Sequence, residues 1–395
     1  MYLTKEEEKM LNGEYGETVA LAMKILVGIG EVFEAERLIR VNSVHISGIS
    51  YDNIRDEGLN FIKKMTNKIR FKVLTTINPV AFDLENPSKL PLDNITISKQ
   101  HEIINSLLSA GAKESFTCTP YLIGNRPPKD SHAAWGESSA VAFLNTVIGA
   151  KSNKEGGPSA LASAIVGKTP LYGLHLEEER KPCIHFKVDL NVTNSTEYSA
   201  IGYCIGLILK KSVPYVSGLN NPSLDEMKSF CAGLAAASNI AMAIVKGVSP
   251  SSFKDSPGNL EKVCIEKDNL EEIFQRFCEP LENVDLVFLG CPHYSLSELE
   301  KLLYLTQNKK AKVPVIVSTS RYVYSEAKKK GYIDLLEKRG VSVLRDTCAV
   351  VAPFSRMKIS VVATDSAKAA HYLTLKHNLK VSLLSLEEIT KHLFG

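Results

Sequence analysis

The sequence predicts an α/β fold: parallel or mixed sheets flanked by helices, in more than one domain, with a doubly wound C-terminal third. Three observations carry this reading. At 395 residues the chain exceeds what one ordinary core holds, so two or three domains are expected. A composition of 44% hydrophobic and 23% charged residues is that of a globular chain. In the C-terminal third, five apolar runs of strand length, "DLVFLGC", "VPVIVSTS", "VSVLRDTC", "KISVVAT" and "VSLLS", alternate with the helical patterns "LSELEKLLYLT", "VYSEAKKKGYIDLLEKRG" and "SAKAAHYLTLKH". Such alternation means βαβ units, whose parallel sheet is covered on both faces.

From the N-terminus, "EEEKMLNG" reads as a helix closed by Gly13, and "GETVALAMKILVGIGEVF" as a second with apolar residues at helical spacing. "RLIRVNSVHISG" is extended and stops at Gly48; "DEGLNFIKKM" is a short amphipathic helix. "IRFKVLTTINP" is a β-branched strand ended by the turn signal Asn78-Pro79. A helix, "ISKQHEIINSLLSAGA", leads to "KESFTC", read as a strand running into Cys118. "GESSAVAFLNTVIGA" is a helix entered through Gly136, Glu137 and Ser138. "TEYSAIGYCIGLIL" and "LDEMKSFCAGLAAASNIAMAIVKG" read as buried helices, and residues 249–260, "SPSSFKDSPGNL", as the best boundary. The expected division is an N-terminal helical and substrate-loop segment (1–64), an α/β domain (65–180), a helix-rich middle domain (181–282) and a doubly wound domain (283–395).

The net charge is +3, with charges interspersed and no basic block interleaved with aromatics, which speaks against a nucleic-acid partner. The N-terminus lacks an apolar signal region and no 18-residue apolar run follows, so the protein is expected to be soluble and cytoplasmic, with no membrane partner. Eight cysteines contain no CxxC pair, which removes zinc-ribbon and thioredoxin readings.

Three of these cysteines, Cys118, Cys291 and Cys348, are each expected directly after a strand, where ligands of open α/β sheets bind. A cysteine in such a place is commonly a small buried hydrophobe. Three thiols brought together there can instead share a metal, and three cysteines on a 4Fe-4S cluster leave one iron open. The other five are expected in helices or loops.

Several strand ends carry anion-binding features. Gly48 in "SGIS" permits close backbone approach, and amides beside Ser50 can hold a carboxylate or phosphate; an ordinary turn gives the same residues. Asn78-Pro79 points at the same cleft. Ser138 and Ser139 open a helix, where unpaired N–H groups bind anions, although serine is also a structural cap. Ser366 or Asp365 can cap the helix after "KISVVAT", and Lys368 in its first turn is unfavourable for the helix dipole, which suggests another task. Trp135 is expected to wall the pocket, with Asn153, Glu155 and Gly156-Gly157 in a nearby loop. His45 and His293 are read as structural.

Taken together, "LNGEYGETVALAMKIL", "VHISGISY", "CTPYLIGNRPP", "AWGESSAVAFLNTVIGA", "NKEGGPSALASAIVGKTPLYGLHL", "LGCPHYSLSE", "DTCAVVAP" and "DSAKAAHY" resemble the aconitase X family, from about residue 5 to the end. The resemblance implies an aconitase-like multi-domain α/β body around an iron–sulfur cluster, 4Fe-4S being the expected type, on Cys118, Cys291 and Cys348. It implies substrate contacts at Gly48, Ile49, Ser50, Asn78, Pro79, Ser138, Ser139, Ser366 and Lys368. It implies a small swivel-domain partner subunit carrying the base, so that Lys368 serves here as the contact to a substrate anion. The reaction implied is iron–sulfur-dependent dehydration of (R)-5-phosphomevalonate to trans-anhydromevalonate 5-phosphate in a mevalonate pathway to isoprenoids. Dehydration of cis-3-hydroxy-L-proline within the same family, and a non-catalytic α/β binding protein, are the alternatives.

Overall fold

A computed structural model describes residues 1–250 and 258–395, so most of the expected 249–260 boundary lies outside the described residues. In the C-terminal third, the strands Leu286–Tyr294, Val315–Thr319, Val341–Arg345, Val361–Thr364 and Lys380–Leu383 form one all-parallel sheet. Their spatial order is third, second, first, fourth, fifth, with the switch between the first and the fourth. Alternate residues explain the two covers. Phe288, Ile316, Leu344 and Val362 join the core shared with the middle helices, while Val287, Val317, Val343 and Ala363 join a separate core on the other face. The sheet is therefore doubly wound, as expected. Gly290 is needed on its first strand: φ is +93° and an added Cβ would lie 2.1 Å from the Ser318 carbonyl oxygen.

A second, three-stranded parallel sheet is made by Leu74–Ile77, Ser43–Ile46 and Ala134–Trp135, in that order. The helices Glu17–Val32, Tyr51–Thr66, Asn94–Ser109 and Gly157–Val166 pack on it around Met23, Leu26, Val44, Ile103 and Leu161. The middle region has a four-stranded parallel sheet and the helices Ser195–Leu209 and Leu224–Ala237. These two helices approach closely at Gly202 and Gly233, where an added Cβ would meet the Phe230 and Ser199 carbonyl oxygens at 2.1 and 1.9 Å. Strands Leu38–Arg40 and Lys168–Pro170 form a small antiparallel pair.

Several expectations are corrected. "KESFTC" is not a strand: Phe116 has φ +40°, and the segment follows the neighbouring strand through scattered bonds instead of a ladder. The strand in "IRFKVLTTINP" is confined to Leu74–Ile77. The long middle helix ends at Ala237, where Ser238 Oγ bonds back to the Leu234 carbonyl, and Ile244–Val245 then form a strand. "VYSEAKKKGYIDLLEKRG" is two helices, broken at left-handed Gly331. The helix Ser138–Phe143 continues into a π-turn over Leu144–Ile148. Cys183 and Cys264 lie on strands rather than in helices or loops. Among the described residues, no helix is long and apolar enough to cross a membrane.

Candidate functional site

The carboxyl edges of two parallel sheets supply the site, as the topology of open α/β sheets requires. In the N-terminal sheet, adjacent strands run out into Gly48–Ser50, Asn78–Pro79 and Gly136–Ser139. In the C-terminal sheet, Cys291 stands near the end of the first strand, and Ser366–Lys368 follow the fourth, its neighbour at the switch. Hydrogen bonds join the two regions directly: Val80 N donates to the Asp346 carbonyl at 2.7 Å, and Arg345 pairs with Asp83 at 3.2 Å.

Lys368, 3% exposed, reaches across from the C-terminal sheet to pair with Glu137, and its ammonium also donates to Ser139 Oγ at 3.0 Å. Ser139 donates to Glu137 from its hydroxyl at 2.9 Å and its N–H at 3.3 Å. Burial pushes the Glu137 carboxyl up, but the Lys368 charge and the Ser139 bonds outweigh it and hold the carboxyl at about 2. Burial likewise works to lower Lys368, and Glu137 more than reverses it, so the lysine is held well above its ordinary range. The pair is charged.

Behind Glu137 a chain of hydrogen bonds can be oriented from its ends. Asn78 Nδ2 donates to Glu137 Oε2 at 3.2 Å, so Asn78 Oδ1 must accept from His45 Nε2–H at 3.1 Å. His45 Nδ1 then accepts from the Thr76 hydroxyl at 2.8 Å, and Thr76 Oγ1 accepts from Asn125 Nδ2 at 2.7 Å. Full burial lowers His45 to about 4, despite its bond to Asn78, so it is a neutral strut. The Asn78 and Glu137 groups it supports belong to the site.

The three cysteine loops meet around a second histidine. Cys118, Cys291 and Cys348 are 4%, 5% and 5% exposed, and a thiolate on either Cys348 or Cys118 raises the pKa of Cys291. Cys118 is pushed up to about 12, by burial first and by the Cys348 and Glu137 charges next; burial also raises Cys291 and Cys348. His293 binds all three loops. Its N–H donates to Cys118 Sγ at 3.2 Å, its Nδ1 accepts from the Thr117 hydroxyl at 3.1 Å, and its Nε2–H donates to the Thr347 carbonyl at 2.8 Å.

Buried thiols with raised pKa values are neutral without a metal, and a metal that replaces their protons removes the cost. Three soft sulfur donors suit an iron–sulfur group. Among the described residues, no three His, Cys, Asp or Glu side chains are close enough to hold one metal ion. A cluster makes a different demand, since its cysteines bind separate irons and stand further apart. The donor set fits it.

The other expected site residues lie as follows. Ile49, Ser50, Asn78 and Pro79 are buried, while Gly48 is exposed and Ser138 half-buried. Ser50 Oγ and Thr347 Oγ1 are buried and have no hydrogen-bond partner among the described residues. The helix entrance at Ser138 does not offer a free anion hole, because the Glu137 carboxylate already occupies the Ser139 N–H. Ser366 Oγ accepts from Ala369 N as the helix cap and donates to the Cys291 carbonyl. Trp135 is fully buried beneath His45 and donates to Ser43 Oγ, so it backs the network and does not wall a pocket. Asn153 binds Tyr172 and Leu174, and Glu155 binds Ser159 and Thr169; neither bonds to a cysteine loop. Glu137 is the central group that sequence reasoning missed; an acidic residue just before a helix start was the available signal.

Three family models match in succession: "Aconitase X first domain" over residues 1–178, "Aconitase X second domain" over 182–275 and "Aconitase X third domain" over 284–394. The phosphomevalonate dehydratase large subunit of Methanocaldococcus jannaschii is 40% identical, covering 99% of this chain and 100% of that protein. The protein of the same name from Methanothermobacter thermautotrophicus is 38% identical over 94% of each chain. The cis-3-hydroxy-L-proline dehydratase of Pseudomonas aeruginosa is 30% identical over 93% of this chain but only 65% of its own length. The crystal structure of Thermococcus kodakaraensis aconitase X, holo-form, superposes with a TM-score of 0.93 at 36% identity, covering all of both chains.

Proposed function

We infer the function from one premise: the chain belongs to the aconitase X family. It is a hydro-lyase that dehydrates (R)-5-phosphomevalonate to trans-anhydromevalonate 5-phosphate, as the large subunit of a dehydratase. The hydroxyproline dehydratases are more distant and longer, and a non-catalytic role is set aside.

The observation that carries the mechanism is the meeting of three buried cysteine loops with the Lys368–Glu137–Ser139 group at facing sheet edges. In this reading Cys118, Cys291 and Cys348 hold a 4Fe-4S cluster. When bound, such a cluster supplies a Lewis acid at the iron without a cysteine, which eases departure of a hydroxyl. Lys368 binds a substrate anion, and Glu137 fixes where its ammonium stands. Ser139 ties Glu137 to Lys368, Ser138 and the Gly48–Ser50 amides complete the cradle, and the Ser50 hydroxyl, unpartnered among the described residues, is available as a donor. Ser366 supports the Cys291 loop from its cap position, and Asn78-Pro79 carries the His45 chain to Glu137. The base comes from a small swivel-domain subunit, which also excludes water and strengthens these contacts. The assembly works in the cytoplasm.

Anaerobic purification tests the cluster. Wild type should absorb at about 400 nm and carry iron, and serine at Cys118, Cys291 or Cys348 should abolish both, while Cys183→Ser leaves them intact. Loss of iron from the Cys183 variant, or retention in the other three, refutes this ligand set.

A further inference from the structure

The helix Ala367–His377 brings more to the site than Lys368. Lys368, Tyr372 and Lys376 recur every four residues, so they stand one above another on a single face. Both ends of this stripe are anchored. Lys368 binds Glu137 and Ser139, at the edge of the N-terminal sheet. Lys376 donates to the Val350 carbonyl, just beyond Cys348, and to Asn53 Oδ1 at 2.8 Å, just beyond Ser50. Tyr372 therefore stands between the Glu137 group and the Cys348 loop.

Its surroundings agree with that place. The charged groups that act most on the phenol are Lys368, Glu137, Cys291 and Cys348, all of them groups of the site. The ring is half-buried against the core, with His371 edge-on at 5.1 Å. Among the described residues its hydroxyl has no hydrogen-bond partner, whereas those of Tyr203 and Tyr294 are paired with His371 and Asp365. Burial raises its pKa against the pull of Lys368, so at neutral pH it keeps its proton and is a donor. Lys368 has a donor to spare as well. Its ammonium carries three N–H groups, and Glu137 and Ser139 take two. One N–H and one O–H, a helical turn apart, are left to face the site.

We propose that Tyr372 is a substrate-contact residue, whose hydroxyl donates to the same substrate carboxylate that Lys368 pairs with. This contact rests on the function inferred above, and adds what orients the carboxylate. A carboxylate has two acceptor oxygens. An ammonium alone lets it turn about the ion pair, and a second donor fixed on the same helix holds its plane.

Tyr372→Phe removes the hydroxyl and keeps the ring that packs on the core. In the assembled two-subunit enzyme it should raise KM for (R)-5-phosphomevalonate roughly 10- to 100-fold, the worth of a hydrogen bond to a charged group, and change kcat less. Tm and iron content should match wild type, which a structural role for the hydroxyl would not allow. A KM within about twofold of wild type overturns the proposal, as does loss of iron, which would make the hydroxyl a support of the cysteine loops. (R)-mevalonate, which has the carboxylate and no phosphate, supplies a readout independent of turnover. It should protect the wild-type two-subunit protein against thermal unfolding and protect the phenylalanine variant less. If wild type fails to dehydrate phosphomevalonate but mevalonate protection still depends on Tyr372, the function is wrong and the carboxylate contact stands. Equal protection of both proteins removes the contact.

Discussion

Replacing Glu137 with Gln keeps the side-chain volume but removes the countercharge of Lys368. That lysine is 3% exposed, and its remaining hydrogen-bond partner among the described residues is Ser139 Oγ at 3.0 Å. Breaking a buried pair by neutralising one member costs about 3–5 kcal/mol, because the other charge stays buried. With an unfolding entropy of about 2.1 cal/mol/K per residue over 395 residues, a loss of that size lowers Tm by roughly 4–6 °C. The pH dependence is specific. In wild type the Lys368 pKa is raised, so its contribution is complete below the unfolded value and is lost only as pH rises through the folded one. In Glu137→Gln the folded pKa falls below the unfolded one, so the penalty is largest at neutral pH and shrinks as pH rises toward 10.5. Denaturant unfolding of the metal-free chain at pH 7 and at higher pH measures both effects. Adding Lys368→Met should recover most of the stability, since it removes the stranded charge. A loss below about 1 kcal/mol, or one that does not change with pH, would refute a buried charged pair.

Further outcomes follow from the same contacts. His293→Leu removes the bonds to Thr117 and Thr347, and should lower the iron bound per chain after anaerobic reconstitution while the fold is retained by circular dichroism. His45→Leu strands the Asn78 oxygen, a cost of about 1–3 kcal/mol, and should lower kcat/KM of the two-subunit enzyme. His45→Gln, which keeps a donor, should lose less, and equal losses would deny the relay. Lys368→Ala in the same enzyme should cut turnover strongly with iron content unchanged.

How much of this was legible depended on what each segment's bonds were made of. The C-terminal strands could be read because their apolar runs are bounded by helices and buried on both faces. "KESFTC" misled because Ser115 imitates a strand: its Oγ accepts from Ile77 N at 2.7 Å and donates to the Ile77 carbonyl at 3.0 Å. A side chain thus does the work of a backbone ladder, and no periodicity reveals that. The cysteines stood out by their local setting, yet only folding brings residues so far apart to His293. Glu137 was passed over because serines beside it are the commoner helix caps.

The central claim is most directly tested by co-expressing the chain anaerobically with a small-subunit partner and following product from (R)-5-phosphomevalonate and from cis-3-hydroxy-L-proline. The account predicts trans-anhydromevalonate 5-phosphate from the assembled enzyme, little reaction with hydroxyproline, and negligible turnover by this chain alone. Preferential dehydration of hydroxyproline, or robust turnover by the isolated 395-residue chain, would contradict it.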